Sequence, residues 1–265
     1  MQRVQLAATN ASQPTDNLVI LAEKDGIDRL EAFLTPPEMA FLRQSAGREV
    51  HNFFFPRVEG TAFVRIVKPE NNPYIAQENA RIAGCDLLRE LRQYKLDAVT
   101  IRNTCSQNRA LAFAEGLALA SYQFLKYFTK PDKKEKRLRE IRIEGASAAA
   151  ITELSALVEA VFLARDLVNE PHSHFTAIQL AESVQAAGTT FGFDVEILGK
   201  EKLEALKMGG LLAINQASNV PPRFCVLEWK PDNAKNTNPV VLIGKGVVYD
   251  TGGLSLKPSE GMDYM

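Results

Sequence analysis

The chain has 265 residues, of which 46% are hydrophobic and 24% charged, a composition typical of one or two globular domains with a sizeable core. Lysine and arginine number 31 against 32 aspartate and glutamate residues, so the net charge of −1 creates no overall field favouring nucleic acid or an anionic membrane. No apolar run approaches the roughly 20 residues that a membrane helix needs, and the amino terminus lacks the apolar core of a signal peptide. We therefore expect a soluble, cytoplasmic protein that binds neither nucleic acid nor membrane.

Residues 1–145 are predicted to form a mixed α/β domain. Three segments have the length and β-branched content of strands: Asn17–Ala22, Thr61–Lys68 and Asp97–Arg102. Two segments have helical periodicity: Glu78–Tyr94 and Arg109–Phe128. Strands that alternate with helices predict a mostly parallel sheet with helices on its faces.

A basic run at residues 133–137 (KKEKR), followed by a short predicted strand at Leu138–Ile143, marks the exit from this domain. We interpret the run as a solvated linker or helix end rather than a binding patch. Residues 146–265 are predicted to be the first part of a larger α/β domain, which begins with a helix through residues 151–165.

The second domain continues with alternating elements. Thr176 is the predicted N-cap of a helix that runs through Ala187 and ends at Gly188. A strand, a helix and a second strand are predicted to follow at Phe193–Leu198, Glu201–Met208 and Arg223–Trp229.

The last stretch, beginning at Val240, carries the residues suited to chemistry. Val240–Ile243 is predicted to be a buried strand, which places Lys245 at a strand's carboxyl end, where open α/β sheets bind their ligands. Asp250 and Lys257 follow around the adjacent pair Gly252–Gly253. Glycines allow positive φ and close backbone approach, so they let a short segment direct its polar side chains toward one point.

The segment GKGVVYDTGGLSLKP at residues 244–258 resembles the signature of the leucine (cytosol) aminopeptidase family, which are dinuclear metallopeptidases. The resemblance implies that Lys245 ligates a metal ion through its amine and that Asp250 bridges two metal ions. It also implies that Lys257 is the catalytic lysine and contacts the substrate, and that Met265 lines the pocket for the first side chain.

The same resemblance implies the cofactors, substrate and assembly of the whole protein. It implies two divalent metal ions, most naturally Mn²⁺ or Zn²⁺, together with a bicarbonate-like base. It further implies a peptide substrate with a bulky apolar amino-terminal residue, and a homohexamer. Weaker similarity to the family extends over residues 112–130, 164–182 and 208–229.

One departure from the family pattern concerns the remaining ligands. The family's Asn-Thr-Asp-Ala-Glu-Gly-Arg motif, which supplies two more carboxylates and an arginine, does not occur among the 265 residues, and Asp263 aligns with a non-ligand position. We therefore expect an amino-terminal portion of such an enzyme with an incomplete metal site. The alternative is a non-catalytic folding or assembly module.

Other candidate sites have weaker support. His172 and His174 form an HxH pair in a predicted loop without a third ligand nearby, and His51 has no distinguishing neighbours. Cys105 has no histidine near it in sequence, and the odd set of three cysteines predicts reduced, mostly buried thiols. A phosphate-binding loop is only weakly supported, because Gly244–Lys245 lacks the preceding glycine and the following Ser or Thr of that motif.

Overall fold

The computed structural model describes residues 3–10, 17–46, 48, 50–134 and 138–262. The chain forms two compact units, of which one ends at Asp166 and the other begins at Leu167. The predicted α/β class is confirmed, whereas the domain boundary near residue 145 stays a prediction.

The first unit contains a six-stranded sheet in the order β1-β6-β5-β2-β4-β3. Its strands are β1 (Gln5–Thr9), β2 (Asn17–Glu23), β3 (Asn52–Pro56), β4 (Thr61–Val67), β5 (Ala98–Asn103) and β6 (Glu140–Glu144). All neighbouring pairs are parallel except β3 with β4, so the prediction of a mostly parallel sheet is confirmed. The four central strands are the four that the sequence predicts.

Helices cover both faces of this sheet. The helices in this part of the chain are a 3₁₀ helix (Lys24–Ala32), α1 (Pro36–Ala46), α2 (Pro73–Gln93), α3 (Gln107–Ala120), α4 (Pro131–Lys134) and α5 (Ala148–Asn169). On one face Val19 and Leu21 of β2 join a core with α2, α3 and α5. On the other face Leu18 and Ile20 join a core with the 3₁₀ helix and α1. Because β2 is buried on both faces, its sequence is continuously apolar rather than alternating.

Helices α2 and α3 are in contact backbone to backbone. An alanine Cβ at Gly84 would lie 2.1 Å from the Phe113 carbonyl oxygen, and one at Gly116 would lie 2.0 Å from that of Arg81. The prediction that α3 extends to Phe128 is wrong. It ends at Ala120, because the hydroxyl of Ser121 donates to the Ala118 carbonyl at 2.6 Å and closes the last turn.

The second unit contains α6 (Ala177–Phe191), β7 (Asp194–Leu198), α7 (Lys200–Ala205), α8 (Gly209–Asn215) and β8 (Phe224–Glu228), with β7 and β8 paired antiparallel. Thr176 caps α6 through a capping box with Gln179, as predicted. The prediction that α6 ends at Gly188 is wrong. The helix continues to Phe191, and Gly192 closes it at φ 77°.

The predicted buried strand Val240–Ile243 is not present. These four residues are in no regular element, and their side chains are 74–94% exposed. The apolar sequence favours a strand, but no strand among the described residues pairs with it. Its backbone therefore has no ladder, and its side chains have no cover.

The three thiols are free, as predicted. The prediction that they are mostly buried is wrong. Cys85 is exposed on α2, while Cys105 and Cys225 are partly buried. Gly84 and Leu88 turn toward the core, so the neighbouring Cys85 faces solvent. Within the described residues, no helix is both long and apolar enough to cross a membrane.

Candidate active site

The motif residues Asp250 and Lys257 are in direct contact. The Lys257 ammonium donates to the Asp250 carboxylate Oδ2 at 2.9 Å and to the Asp250 backbone carbonyl at 3.2 Å. The other carboxylate oxygen, Oδ1, accepts from the Gly252 N–H at 2.8 Å. A backbone hydrogen bond of 2.9 Å from Lys257 to Thr251 closes the segment. Residues 250–257 therefore form a loop that is held by its own groups, which we call the Asp250 loop.

The paired glycines are what permit this loop. Gly252 has φ +97° and Gly253 has φ +81°, a backbone region that other residues rarely adopt. At Gly252 a Cβ would also lie 2.5 Å from the Ser255 carbonyl oxygen and 3.0 Å from the Lys257 Cγ. At Gly253 a Cβ would meet nothing within 4 Å, so only its φ requires glycine. The double glycine thus brings the carboxylate and the ammonium together.

The surroundings of Asp250 stabilise its ionised form. The hydrogen bond from the Lys257 ammonium, the hydrogen bond from the Gly252 N–H and the charges of Lys257 and Lys245 hold the pKa of the Asp250 carboxyl below its usual range. The Asp250 side chain is 45% exposed, so solvent screens these interactions. Asp250 is therefore a carboxylate anion at neutral pH.

Lys245 is an exposed side chain between Gly244 and Gly246, both of which have open space around them. Its charge reaches Asp250 electrostatically, but weakly compared with that of Lys257. The structure thus brings Asp250 and Lys257 into contact and places Lys245 within electrostatic reach of them. Met265 and Asp263 lie outside the described residues.

An aromatic contact beside the loop was not predicted. The imidazole of His172 stacks on the ring of Tyr249, with ring centres 5.2 Å apart and planes inclined by 25°. Tyr249 directly precedes Asp250, so the stack fixes one end of the Asp250 loop to the segment before α6. His172 and Tyr249 are far apart in the sequence, and no sequence pattern predicts a contact between them.

Cys105, one of the candidate sites with weaker support from the sequence, is in the first unit. Burial raises the pKa of its thiol, and the charge of Glu23 raises it further, while Arg109 opposes both effects. A raised pKa disfavours the thiolate that nucleophilic chemistry needs.

Asp250 and the nearby Lys245 offer donor groups that fit part of a metal site. A carboxylate such as Asp250 and an amine such as Lys245 are suitable ligands for Mn²⁺ or Zn²⁺. A pair of divalent ions needs several carboxylates, and no cluster of three or more His, Cys, Asp or Glu side chains suited to a metal occurs among the described residues. Lys245 and Asp250 thus fit as two ligands of a larger set.

Part of the chain is similar in sequence to a known family. The sequence profile of the cytosol aminopeptidase family, catalytic domain, matches residues 162–265. A probable cytosol aminopeptidase of Chlorobium phaeobacteroides is 42% identical over 168 residues, which cover 59% of this chain and 33% of that protein. One of Chloroherpeton thalassium is 50% identical over 103 residues, which cover 39% of this chain and 20% of that protein. The chain thus spans about a third or less of the length of these curated relatives.

Solved structures have the same fold. A mutant of tomato leucine aminopeptidase aligns with a TM-score of 0.76 at 21% identity, covering 95% of this chain and 55% of that one. The bottromycin maturation enzyme BotP, in complex with Mn, aligns with a TM-score of 0.70 at 25% identity, covering 92% of this chain and 51% of that one. The resemblance predicted from residues 244–258 is confirmed.

Proposed function

We propose, on the premise that this chain resembles the amino-terminal portion of cytosol aminopeptidases, that the full-length protein is a metal-dependent aminopeptidase. Its substrates would be peptides with a bulky apolar amino-terminal residue. The observation that carries the proposal is the Asp250 loop, in which the family motif holds a carboxylate and an ammonium together, 2.9 Å apart. The profile match over residues 162–265 supports the same reaction.

Each motif residue has a separate role in this proposal. Asp250 and Lys245 would hold the divalent ions, Asp250 through its carboxylate and Lys245 through its uncharged amine. When bound, such ions supply an activated water and polarise the scissile carbonyl. Lys257 keeps its charge and donates to the oxygen that becomes negative as the carbonyl is attacked. Met265 lines the pocket for the first side chain.

Manganese and zinc are the proposed metals, and a bicarbonate-like base is proposed to complete the site. The manganese complex of BotP, which is 25% identical to this chain, supports the first of these metals. We further propose a cytoplasmic location and a homohexamer. The names of the cytosol aminopeptidases support the location, and the resemblance to their family supports the assembly.

A polypeptide of these 265 residues alone would bind two metal ions poorly. It supplies Lys245 and Asp250, whereas two adjacent divalent ions need several carboxylates to neutralise and position them. We expect at most trace hydrolysis of a leucyl amide by this polypeptide when Mn²⁺ or Zn²⁺ is added.

The proposal is tested with the full-length protein and three variants. Asp250→Asn and Lys245→Met should each lose bound metal and hydrolysis together, because each removes a ligand. Lys235→Met, a change at an exposed lysine outside the motif, should leave both unchanged. Hydrolysis by Asp250→Asn at the native rate would refute the ligand assignment.

A non-catalytic folding or assembly module is the second candidate. The exposed apolar run Val240–Ile243 favours it, because large exposed apolar patches mark interaction surfaces. The two candidates differ in one observable. An assembly module would leave the full-length protein without metal-dependent hydrolysis, and the aminopeptidase would not.

A further inference from the structure

Both oxygens of the Asp250 carboxylate already accept a hydrogen bond within the loop that carries it. Oδ2 accepts from the Lys257 ammonium at 2.9 Å, and Oδ1 accepts from the Gly252 N–H at 2.8 Å. A divalent ion held by Asp250 would bind to one or both of these oxygens. Any cation that approaches Oδ2 therefore meets the positive charge of Lys257.

We infer that Lys257 has a second role, which rests on the proposed function: its ammonium competes with divalent ions for Asp250 and thereby sets how tightly they bind. The competition is intramolecular, since Lys257 is tied to the loop by its own N–H, which donates to Thr251 at 2.9 Å. The ammonium is consequently always present at high local concentration.

The contacts of Lys257 also determine where the ammonium goes when an ion displaces it. Its second acceptor is the backbone carbonyl of Asp250, at 3.2 Å. That oxygen is not part of the carboxylate, so an ion bound by the side chain leaves it free. The displaced ammonium keeps this anchor and stays beside the ions, where the proposed reaction needs a charged donor.

A purely structural role for Lys257 predicts the opposite effect on metal binding. If the ion pair only braces the loop, its removal would weaken binding, but an ion pair with side chains 32% and 45% exposed is worth at most about fivefold in an equilibrium. Repulsion between the single charge of the ammonium and the double charge of a metal ion, about 4 Å apart in water, would weaken metal binding roughly thirtyfold. Removing the ammonium should therefore tighten metal binding by a net factor of about five to ten.

The test is a direct measurement of Mn²⁺ binding, which does not depend on turnover. Full-length native protein is titrated with Mn²⁺, and free Mn²⁺ is followed by electron paramagnetic resonance. Lys257→Met keeps the length of the side chain and removes its charge, so it should bind Mn²⁺ about five to ten times more tightly than the native protein. Lys257→Arg keeps the charge and should bind within about twofold of native.

Controls separate this inference from the proposed function. Circular dichroism verifies that each variant is folded, and Lys257→Gln replaces Lys257→Met if the latter is not. Native-like or weaker Mn²⁺ binding by the neutral variant would overturn the competition while leaving the ligand roles intact. Failure of the native protein to bind Mn²⁺, or undiminished binding by Asp250→Asn, would instead overturn the proposed function.

Discussion

Replacing Gly116 with alanine tests how closely α2 and α3 approach. The new Cβ would lie 2.0 Å from the carbonyl oxygen of Arg81 and 2.6 Å from its carbonyl carbon. Both obstacles are backbone atoms, so no side chain can rotate out of the way. An ordinary contact distance begins at 3.4 Å, so the two helices would have to separate by at least about 1.4 Å.

The magnitude follows from two opposing effects. Overpacking of this kind costs up to about 3 kcal/mol, since the separation also loosens the packing of Phe113 and Leu117 in the core below. Alanine has a higher helix propensity than glycine by about 1 kcal/mol, which offsets part of the loss. The net destabilisation is about 2 kcal/mol, which lowers the melting temperature of a unit of this size by about 4–8 °C.

The assay is urea unfolding followed by far-ultraviolet circular dichroism. Gly26→Ala is the matched control, because a Cβ at Gly26 would meet nothing within 4 Å. The control should unfold at or above the native midpoint, and Gly116→Ala should unfold well below it. A Gly116→Ala protein as stable as the native one would refute the close-approach argument.

Three further predictions concern the loop and the surface. Gly252→Ala should weaken Mn²⁺ binding of the full-length protein at least tenfold, because φ +97° and the nearby carbonyl exclude a Cβ; native-like affinity in the titration would contradict this. His172→Ala should slow leucyl amide hydrolysis several-fold because the stack on Tyr249 is lost, whereas His172→Phe should keep the stack and the native rate. Equal rates for the two variants would show that the stack does not position the Asp250 loop. Burial opposes ionisation of Glu38, but hydrogen bonds led by those of Arg57 outweigh it and lower the pKa of Glu38 below its ordinary 4.5. The stabilisation from these contacts is therefore present above pH 4.5 and is lost as the pH falls through the folded-state pKa. The unfolding free energies of Glu38→Gln and the native protein, measured between about pH 6 and 3, should converge at low pH, and parallel curves would show that the contacts contribute nothing.

The central strands could be predicted because their apolar residues follow patterns typical of strands. Strand β2 (NLVILAE) is continuously apolar and buried in its centre, and in β6 (EIRIE) buried isoleucines alternate with charged residues. The edge strands β1 and β3 were not predicted. Their sequences QLAAT and NFFFP are half exposed, and β3 ends in a proline, so their pairing depends on neighbours distant in the sequence.

The same limit explains the error at Val240–Ile243. An apolar run indicates that a segment can be buried, but a strand also needs a partner that supplies hydrogen bonds, and partners are a property of the whole fold. The prediction that Gly188 ends α6 was wrong for a related reason. A glycine near the end of a helical pattern indicates a helix end, but Gly188 lies within α6. Glycine is required there because a Cβ would lie 2.6 Å from the Val195 side chain.

The candidate site could be predicted further than its surroundings. The double glycine and the spacing of Asp250 and Lys257 point to a compact loop, and the structure brings the two side chains into contact. The stack of His172 on Tyr249 could not be predicted, because it joins two segments of the second unit that no sequence pattern links.

The most direct test measures leucyl amide hydrolysis and bound metal together in the full-length protein, its Asp250→Asn variant and the 265-residue polypeptide. The account predicts that hydrolysis by the full-length protein rises with added Mn²⁺ or Zn²⁺, that Asp250→Asn loses both metal and hydrolysis, and that the 265-residue polypeptide shows only trace turnover. Robust turnover by that polypeptide, or metal-independent hydrolysis by the full-length protein, would contradict it.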